Sequence, residues 1–115
     1  MERYYNHCTL IGDAKSKAEA RRLPDGKTHI AFVLKVPKDI GKEKPYINYV
    51  RVSHYFRDAA AAKILADRIQ KGTRVLVAGE LHSRSFHKAG ESESRMLVEV
   101  TAVTVNLLDE GRVTA

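Results

Sequence analysis

Aromatic and cationic side chains alternate along two stretches of the sequence, one around residue 50 and one around residue 85. In the first stretch Tyr49, Arg51 and Tyr55 are odd-numbered, whereas Val50 and Val52 are even-numbered. Because side chains two residues apart on a strand point to the same side, the rings and the cation share the face opposite the valines and need not be buried. Rings that stack on bases and cations that meet phosphates are what sequence-independent binding of a nucleic-acid strand requires.

A longer predicted strand, from Arg74 to Phe86, repeats this pattern with an apolar face and a polar face. The two faces consist of Val75, Val77 and Leu81 on one side and His82, Arg84 and Phe86 on the other. Two polar segments next to the strands add positive charge, and we expect them to be loops that extend a binding groove. These segments are 37–45, with Lys38, Lys42 and Lys44, and the hairpin tip 87–94, with Lys88.

The composition of the whole chain fits one soluble globular domain. Its 115 residues leave no room for a second hydrophobic core. A hydrophobic share of 43% excludes disorder of the whole chain, and no apolar run approaches the roughly 18 residues of a membrane span. The formal charge of +6 raises the expectation of a polyanionic partner without establishing one.

Several kinds of chemistry find no support in the sequence. The N-terminus lacks the apolar stretch of a signal peptide, and Cys8 is the single cysteine, so we predict a cytoplasmic protein without a disulfide. His82 and His87 are five residues apart on an extended segment, which places them on opposite sides, and no other metal-ligand spacing occurs. No arrangement of Ser, His and Asp suggests a nucleophile with its base. The sequence therefore predicts a protein that is not an enzyme and holds no metal or cofactor.

Apolar periodicity divides the chain into five extended stretches and one helix. The extended stretches are 4–12, 28–36, 46–56, 74–86 and 95–108, and a polar segment, 13–22, separates the first two. A turn is predicted at Pro24-Asp25-Gly26, because proline presets φ, aspartate bonds to its own backbone and glycine accepts a positive φ.

The only convincing helix follows Asp58, a plausible N-cap that precedes four alanines. An apolar stripe of Ile64, Leu65 and Ile69 is expected to pack on the core. Gly72 is expected to stop the helix at its C′ position.

This order of elements predicts an all-β OB-fold, a five-stranded Greek-key barrel with one helix between strands 3 and 4. A small all-β domain must bury one face of every strand and close its edges, and a closed barrel does both. An open five-stranded sheet with one helix is the alternative. We assign residues 1–110 to the OB domain and 111–115 to a short C-terminal end.

Several short segments occur in a characteristic order and spacing between residues 6 and 108. They are Asn6 with LIG at 10–12, LPDG at 23–26, AFVL at 31–34, YVRV at 49–52, IQKG at 69–72, GELHSRSF at 79–86 and VEV at 98–100. Together these segments resemble the bacterial single-stranded DNA-binding protein (SSB) family. More distantly, the short chain is similar to primosomal replication protein N, a dimeric OB-fold relative.

The resemblance implies an OB-fold that binds single-stranded DNA in replication, recombination, repair or transfer, without catalysis or a cofactor. It also implies a homo-oligomer, a tetramer or possibly a dimer. The family's stacking positions match Tyr49, Tyr55 and Phe86, and its basic positions match Arg51 and Arg84. We expect the lysines of the two loops to add phosphate contacts.

The chain departs from the family pattern in two respects. It has no tryptophan, and Ile40 stands about where the family has a further stacking tryptophan. We also expect the protein to differ by the absence of the long linker and acidic tip through which many members of the family recruit replication enzymes. These differences motivate an alternative function, an OB-fold protein-interaction module such as a primosome assembly factor with weak nucleic-acid binding.

Structural roles stay open for the same aromatic residues. Tyr49 and Tyr55 could pack at a subunit interface, and Phe86 could close the end of the barrel. The two arginines, Arg51 and Arg84, could instead form structural ion pairs with Glu80 or Glu99.

Overall fold

The computed structural model describes residues 3–38 and 46–108, which contain six strands and one helix. The elements are β1 (Cys8–Ala14), β2 (Glu19–Arg22), β3 (Thr28–Lys38), β4 (Tyr46–Phe56), α1 (Ala59–Arg68), β5 (Arg74–His87) and β6 (Ser94–Leu107). The helix lies between β4 and β5. These are the third and fourth of the five strands that the sequence predicts, because β2 was not predicted.

Five of the strands pair in a closed ring. The order around the sheet is β1-β5-β6-β4-β3, and β3 pairs again with β1. All of these pairings are antiparallel except that of β4 with β6, where Arg51 lies beside Glu99. A ring of this kind leaves few open edges, which is the physical advantage of a barrel. Strand β1 pairs with β3 only at Leu34 and Lys35, so the first half of β3 keeps an edge that β1 leaves free. The predicted OB-fold is confirmed.

The sixth strand, β2, lies within the polar segment 13–22, where the sequence predicts no strand. All four of its residues are exposed, so no apolar alternation marks them, and β2 pairs only with β3. The turn between these strands brings them together. There the backbone N–H of Lys27 donates to the Asp25 carboxylate over 3.0 Å, and Gly26 has a φ of +90°. The predicted turn is therefore confirmed, and it creates a pairing that the side chains do not indicate.

The interior of the ring is filled by one face of each long strand. Strand β3 contributes Ile30, Phe32 and Leu34, whose alternation with half-buried residues matches the predicted period of two. The other strands contribute mainly valines, which pack against them. Each such side chain stabilises the fold by roughly 1.5–3 kcal/mol when it leaves water. The valines are Val52, Val75, Val77 and Val100.

The helix begins as predicted and packs differently. Asp58 caps it, because its carboxylate accepts from the backbone N–H of Ala60 over 2.9 Å. The buried residues are the small Ala62 and Ala66, followed by Ile69 just past the helix. Ile64 is 63% exposed, so its assignment to the core was wrong. Two residues turn a helix by about 200°, which places Ile64 on the side away from Ala62.

The end of the helix also differs from the prediction. The last helical residue is Arg68 and the C-cap is Ile69, so Gly72 is not at C′. Gly72 has a φ of +88° and lies in the turn that leads to β5. Among the described residues, no helix has the length and the apolar character needed to cross a membrane.

Strands β5 and β6 continue beyond the ring as a hairpin. Their register shifts between Ala78 and Gly79, where Val103 is an extra residue in β6. Beyond this bulge every residue of β5 is exposed, including Leu81, which the sequence analysis placed on the core face. Leu81 does lie on the inner side, opposite Val100, but at the rim where nothing covers it.

Candidate nucleic-acid interface

The predicted site residues of β4 and β5 lie on one continuous surface. Paired residues on neighbouring strands point to the same side of a sheet, so the register decides which side chains meet. Arg51 of β4 pairs with Glu99 of β6, which pairs with His82 of β5. Tyr49 and Tyr55 therefore share an outer face with Arg84 and Phe86. We call this surface, the outer side of β3, β4, β6 and β5, the platform face.

The three predicted stacking residues are all accessible on this face. Tyr49 is 56% exposed, Tyr55 is 47% exposed and Phe86 is 43% exposed. Burial of aromatic rings is strongly favourable, so three half-exposed rings on one face of a small domain mark a surface fitted for contact. The structure thus brings Tyr49, Tyr55 and Phe86 together on one side.

One face of the Tyr55 ring packs against His29, a residue that was not predicted to belong to the site. The imidazole of His29, on β3, stacks on the Tyr55 ring with centroids 4.8 Å apart and an angle of 27° between the planes. His29 Nε2 also lies 2.9 Å from the hydroxyl oxygen of Ser53. One face of Tyr55 is thereby fixed against the protein. The cross-strand pair His29 with Tyr55 follows from the register of β3 and β4, which the sequence alone does not supply.

Tyr49 has a cation beside it. Lys15 Nζ lies 5.1 Å from the centroid of the Tyr49 ring, within the range of a cation–π contact. Lys35 is the cross-strand partner of Tyr49 on β3 and adds a second basic side chain. Neither lysine was predicted, because Lys15 comes close to β4 only through the pairing of β1 with β3, and Lys35 only through the register of β3 with β4.

Phe86 and Arg84 lie on the projecting part of the β5–β6 hairpin. Phe86 pairs with Arg95, and the Arg95 guanidinium donates to the Glu91 carboxylate over 2.8 and 2.7 Å. Arg84 pairs with Leu97 and has no carboxylate within ion-pair distance among the described residues. The predicted alternative of an ion pair for Arg84 thus finds no support in the described part of the chain.

Arg51 has a structural partner. Its Nε lies 3.1 Å from Oε1 of Glu99, without the alignment of a hydrogen bond, and the Glu99 side chain is 6% exposed. The ion pair that the sequence analysis left open is therefore present. The Arg51 side chain stays 39% exposed, so its outer part lies on the platform face while Nε offsets a buried carboxylate.

We expect Arg51→Ala to lower the free energy of unfolding by about 1–3 kcal/mol, because it leaves the Glu99 carboxylate buried without a counter-charge. Urea denaturation measures this change. The double variant Arg51→Ala/Glu99→Gln is the control, since it removes the orphaned charge and should recover part of the loss. Equal stabilities of Arg51→Ala and the wild type would contradict the structural role of the pair.

The predicted loop cations fall partly outside the described residues. Lys38 is exposed at the end of β3, and Lys88 is exposed at the tip of the β5–β6 hairpin. Lys42 and Lys44, together with Ile40, lie in 39–45, outside the described residues. The register of β3 with β4 places Lys38 on the inner side of β3, with Ile30 and Leu34, and Lys88 follows the last paired residue of β5, so neither is part of the platform face itself.

Burial lowers the pKa of His29 below 6.5, and the positive charges of Arg51, Arg21 and Arg84 lower it further, against the opposing effect of Glu99. Burial also lowers the pKa of His54, which lies on the inner side of β4 with Nδ1 3.0 Å from the carbonyl oxygen of Ala102. Three arginines act on one imidazole, and this convergence indicates a positive potential over this part of the platform face.

These two histidines predict how stability depends on pH. The unfolded chain takes up their protons near pH 6.5, whereas the folded chain does so only at lower pH. Unfolding is therefore favoured progressively as pH falls below about 6.5, and the loss ends once pH is below the folded-state pKa values. We expect a lower Tm at about pH 5.5 than at about pH 7.5, and a smaller difference in His29→Gln/His54→Gln. A Tm that rises on acidification over this range would contradict the assignment.

No group of three or more potential metal ligands occurs among residues 3–38 and 46–108. Cys8 is half-buried and packs against the core from β1. The predicted absence of a metal and of a cofactor stays a prediction.

The chain was compared with known proteins. Residues 5–108 match the model of the single-strand binding protein family. A single-stranded DNA-binding protein of Paenarthrobacter aurescens is 31% identical over an alignment of 98 residues, and the alignment covers 80% of this chain and 55% of the relative. The chain thus spans little more than half the length of that relative.

A solved structure shares the fold. It is the SSB complex with ssDNA of Plasmodium falciparum, which superposes with a TM-score of 0.77 at 23% identity and covers 95% of this chain and 99% of its own. At that identity the likeness concerns the fold alone, and it agrees with the ring of strands described above. Because the family model extends over the ring, the helix and the hairpin together, the chain belongs to the single-strand binding protein family.

Proposed function

We propose that this protein binds single-stranded DNA without sequence preference through the platform face, and that it acts as a binding protein and not as an enzyme. The observation that carries the proposal is the set of three half-exposed rings on one face, with basic side chains between and beside them. The family membership and the names of both relatives support the same ligand.

The rings and the cations contribute to binding in different ways. Tyr49, Tyr55 and Phe86 stack on bases, and each stack contributes roughly 1–3 kcal/mol whatever the base, because every base has a π-face. Cations around the rings meet phosphates and release counterions, with a salt slope of about 0.7 per phosphate on a single strand. They are Arg84, the exposed part of Arg51, Lys38 and Lys88, with Lys42 and Lys44 proposed as further contacts.

Assembly and cellular role are further parts of the proposal. A homo-oligomer, tetramer or dimer, is supported by exposed apolar side chains apart from the three rings, namely Ile11 on β1 and Val103 at the bulge of β6. Light scattering measures the mass in solution. A cytoplasmic location, replication or primosome partners and an OB-domain boundary near residue 110 stay predictions.

The experiment is fluorescence anisotropy of a labelled oligo-dT, titrated at low and moderate salt with duplex DNA as competitor. Stacking predicts tight binding that persists at moderate salt and resists the duplex, since stacked bases inside a duplex are not available to the rings. Binding that disappears with salt, or that duplex DNA displaces equally well, would mean that only the net charge attracts the strand and would contradict the proposal.

A further inference from the structure

A groove of about 670 Å³ lies beside the platform face, between the edge strand β2 and the helix α1. Its floor is the first half of β3, including Thr28 and His29. Arg21 and Arg22 of β2 line one side, and Lys63 of α1 lines the other. None of the predicted site residues except Arg51 lines it, so the groove is separate from the three rings.

The groove opens onto the platform at His29. This imidazole lines the groove and also stacks against Tyr55. Arg51 lines the groove as well and faces the platform through its exposed part. The mouth of the groove is therefore next to Tyr55, one of the three rings.

The charges in the groove favour an anion. Five cationic side chains line it against two carboxylates, Glu19 and Asp67. Asp67 is shared by two lysines, at 3.5 Å from each Nζ. Arg21 has no carboxylate within ion-pair distance in the described ranges, and its charge reaches His29, whose pKa it helps to lower. The cations are Lys17, Arg21, Arg22, Arg51 and Lys63.

We propose that this groove binds the sugar–phosphate backbone of the same DNA strand as it leaves the rings, with Arg21 as the main phosphate contact. The lining supports a phosphodiester chain and not a row of bases, because His29 at the mouth is the only ring among the described residues that line it. Asp67 limits the affinity by holding Lys17 and Lys63. This inference rests on the proposed function, since it assigns the path of a strand that the platform face already holds.

The test uses two arginines that differ in position and not in charge. Arg21 lines the groove, whereas Arg68 is exposed on the last turn of α1, one position beyond the groove-lining Asp67. Both are replaced by alanine, and oligo-dT affinity is measured over a series of salt concentrations. We expect Arg21→Ala to weaken binding roughly three- to tenfold and to lower the salt slope by about 0.7, and Arg68→Ala to change neither.

A second variant is expected to change the DNA affinity in the opposite direction. Asp67→Asn removes the carboxylate that occupies Lys17 and Lys63, so we expect roughly two- to threefold tighter binding and a steeper salt slope. If the wild type binds oligo-dT and Arg21→Ala behaves like Arg68→Ala, the groove is not on the path of the strand, whereas the proposed function stands. If the wild type itself fails to bind, both proposals are overturned.

Discussion

Replacing Tyr55 and Phe86 together by alanine is expected to weaken oligo-dT binding by about 2–6 kcal/mol, the sum of two stacking contacts at roughly 1–3 kcal/mol each. Both rings are close to half-exposed, so their removal takes little from the core. The backbone of β4 and β5 is held by pairing with β3 and β6, which does not depend on these side chains. Anisotropy titration at moderate salt measures the loss.

A matched control distinguishes stacking from a general loss of apolar surface. Ile64 and Met96 are more exposed than the two rings, and both lie away from the platform face. Met96 pairs with Ser85 on the inner side of the hairpin. Ile64→Ala/Met96→Ala should bind like the wild type. Wild-type affinity of the folded Tyr55→Ala/Phe86→Ala variant would instead exclude these rings from the interface.

Gly79→Ala is expected to lower the free energy of unfolding by about 3 kcal/mol, at the upper end of the usual cost of overpacking. A Cβ at this position would overlap the carbonyl oxygen of Thr101 and would lie 2.8 Å from Cα of Ala102. Both are backbone atoms of β6, so they cannot move aside unless β5 and β6 separate. Urea denaturation measures the stability.

The same substitution should also weaken DNA binding, because Gly79 lies at the bulge from which the hairpin leaves the ring. Arg84 and Phe86 depend on that point for their position on the platform face. Gly90→Ala is the control, since its Cβ meets nothing within 4 Å. The strain that a positive φ imposes on alanine is there confined to the tip of the hairpin. Equal stability of Gly79→Ala and the wild type would show that the two strands are not in such close contact.

The sequence predicts those parts of the fold that local chemistry determines. Period-two alternation identifies β3, and the capping preference of Asp58 locates the start of α1. The turn at Gly26 is predictable because the turn requires a positive φ, which glycine adopts without strain. By contrast, β2 exists because an edge of β3 is available, and Ile64 is exposed because small alanines let the helix approach the core. Such outcomes depend on tertiary contacts.

The same distinction applies to the candidate site, where local patterns predict some features and tertiary contacts determine the others. Parity along β4 places Tyr49 and Tyr55 on one face, and the structure confirms that placement. The ion pair of Arg51 with Glu99 depends on the parallel pairing of β4 with β6, between residues 48 positions apart in the chain. The support of Tyr55 by His29 likewise depends on a register that no local pattern encodes. Sequence reasoning therefore predicts that the rings share a face and offers the Arg51–Glu99 pair as one alternative, but it misses the support of Tyr55 by His29.

The most direct test of the platform face is photo-cross-linking of the wild-type protein to an oligo-dT that contains 5-iododeoxyuridine, with the modified residues located by mass spectrometry. The rings on which bases stack should react, and we predict adducts at Tyr49, Tyr55 and Phe86. Adducts confined to other surfaces, such as the exposed Tyr4 and Tyr5 near the N-terminus, would contradict the assignment of this face as the DNA-binding site.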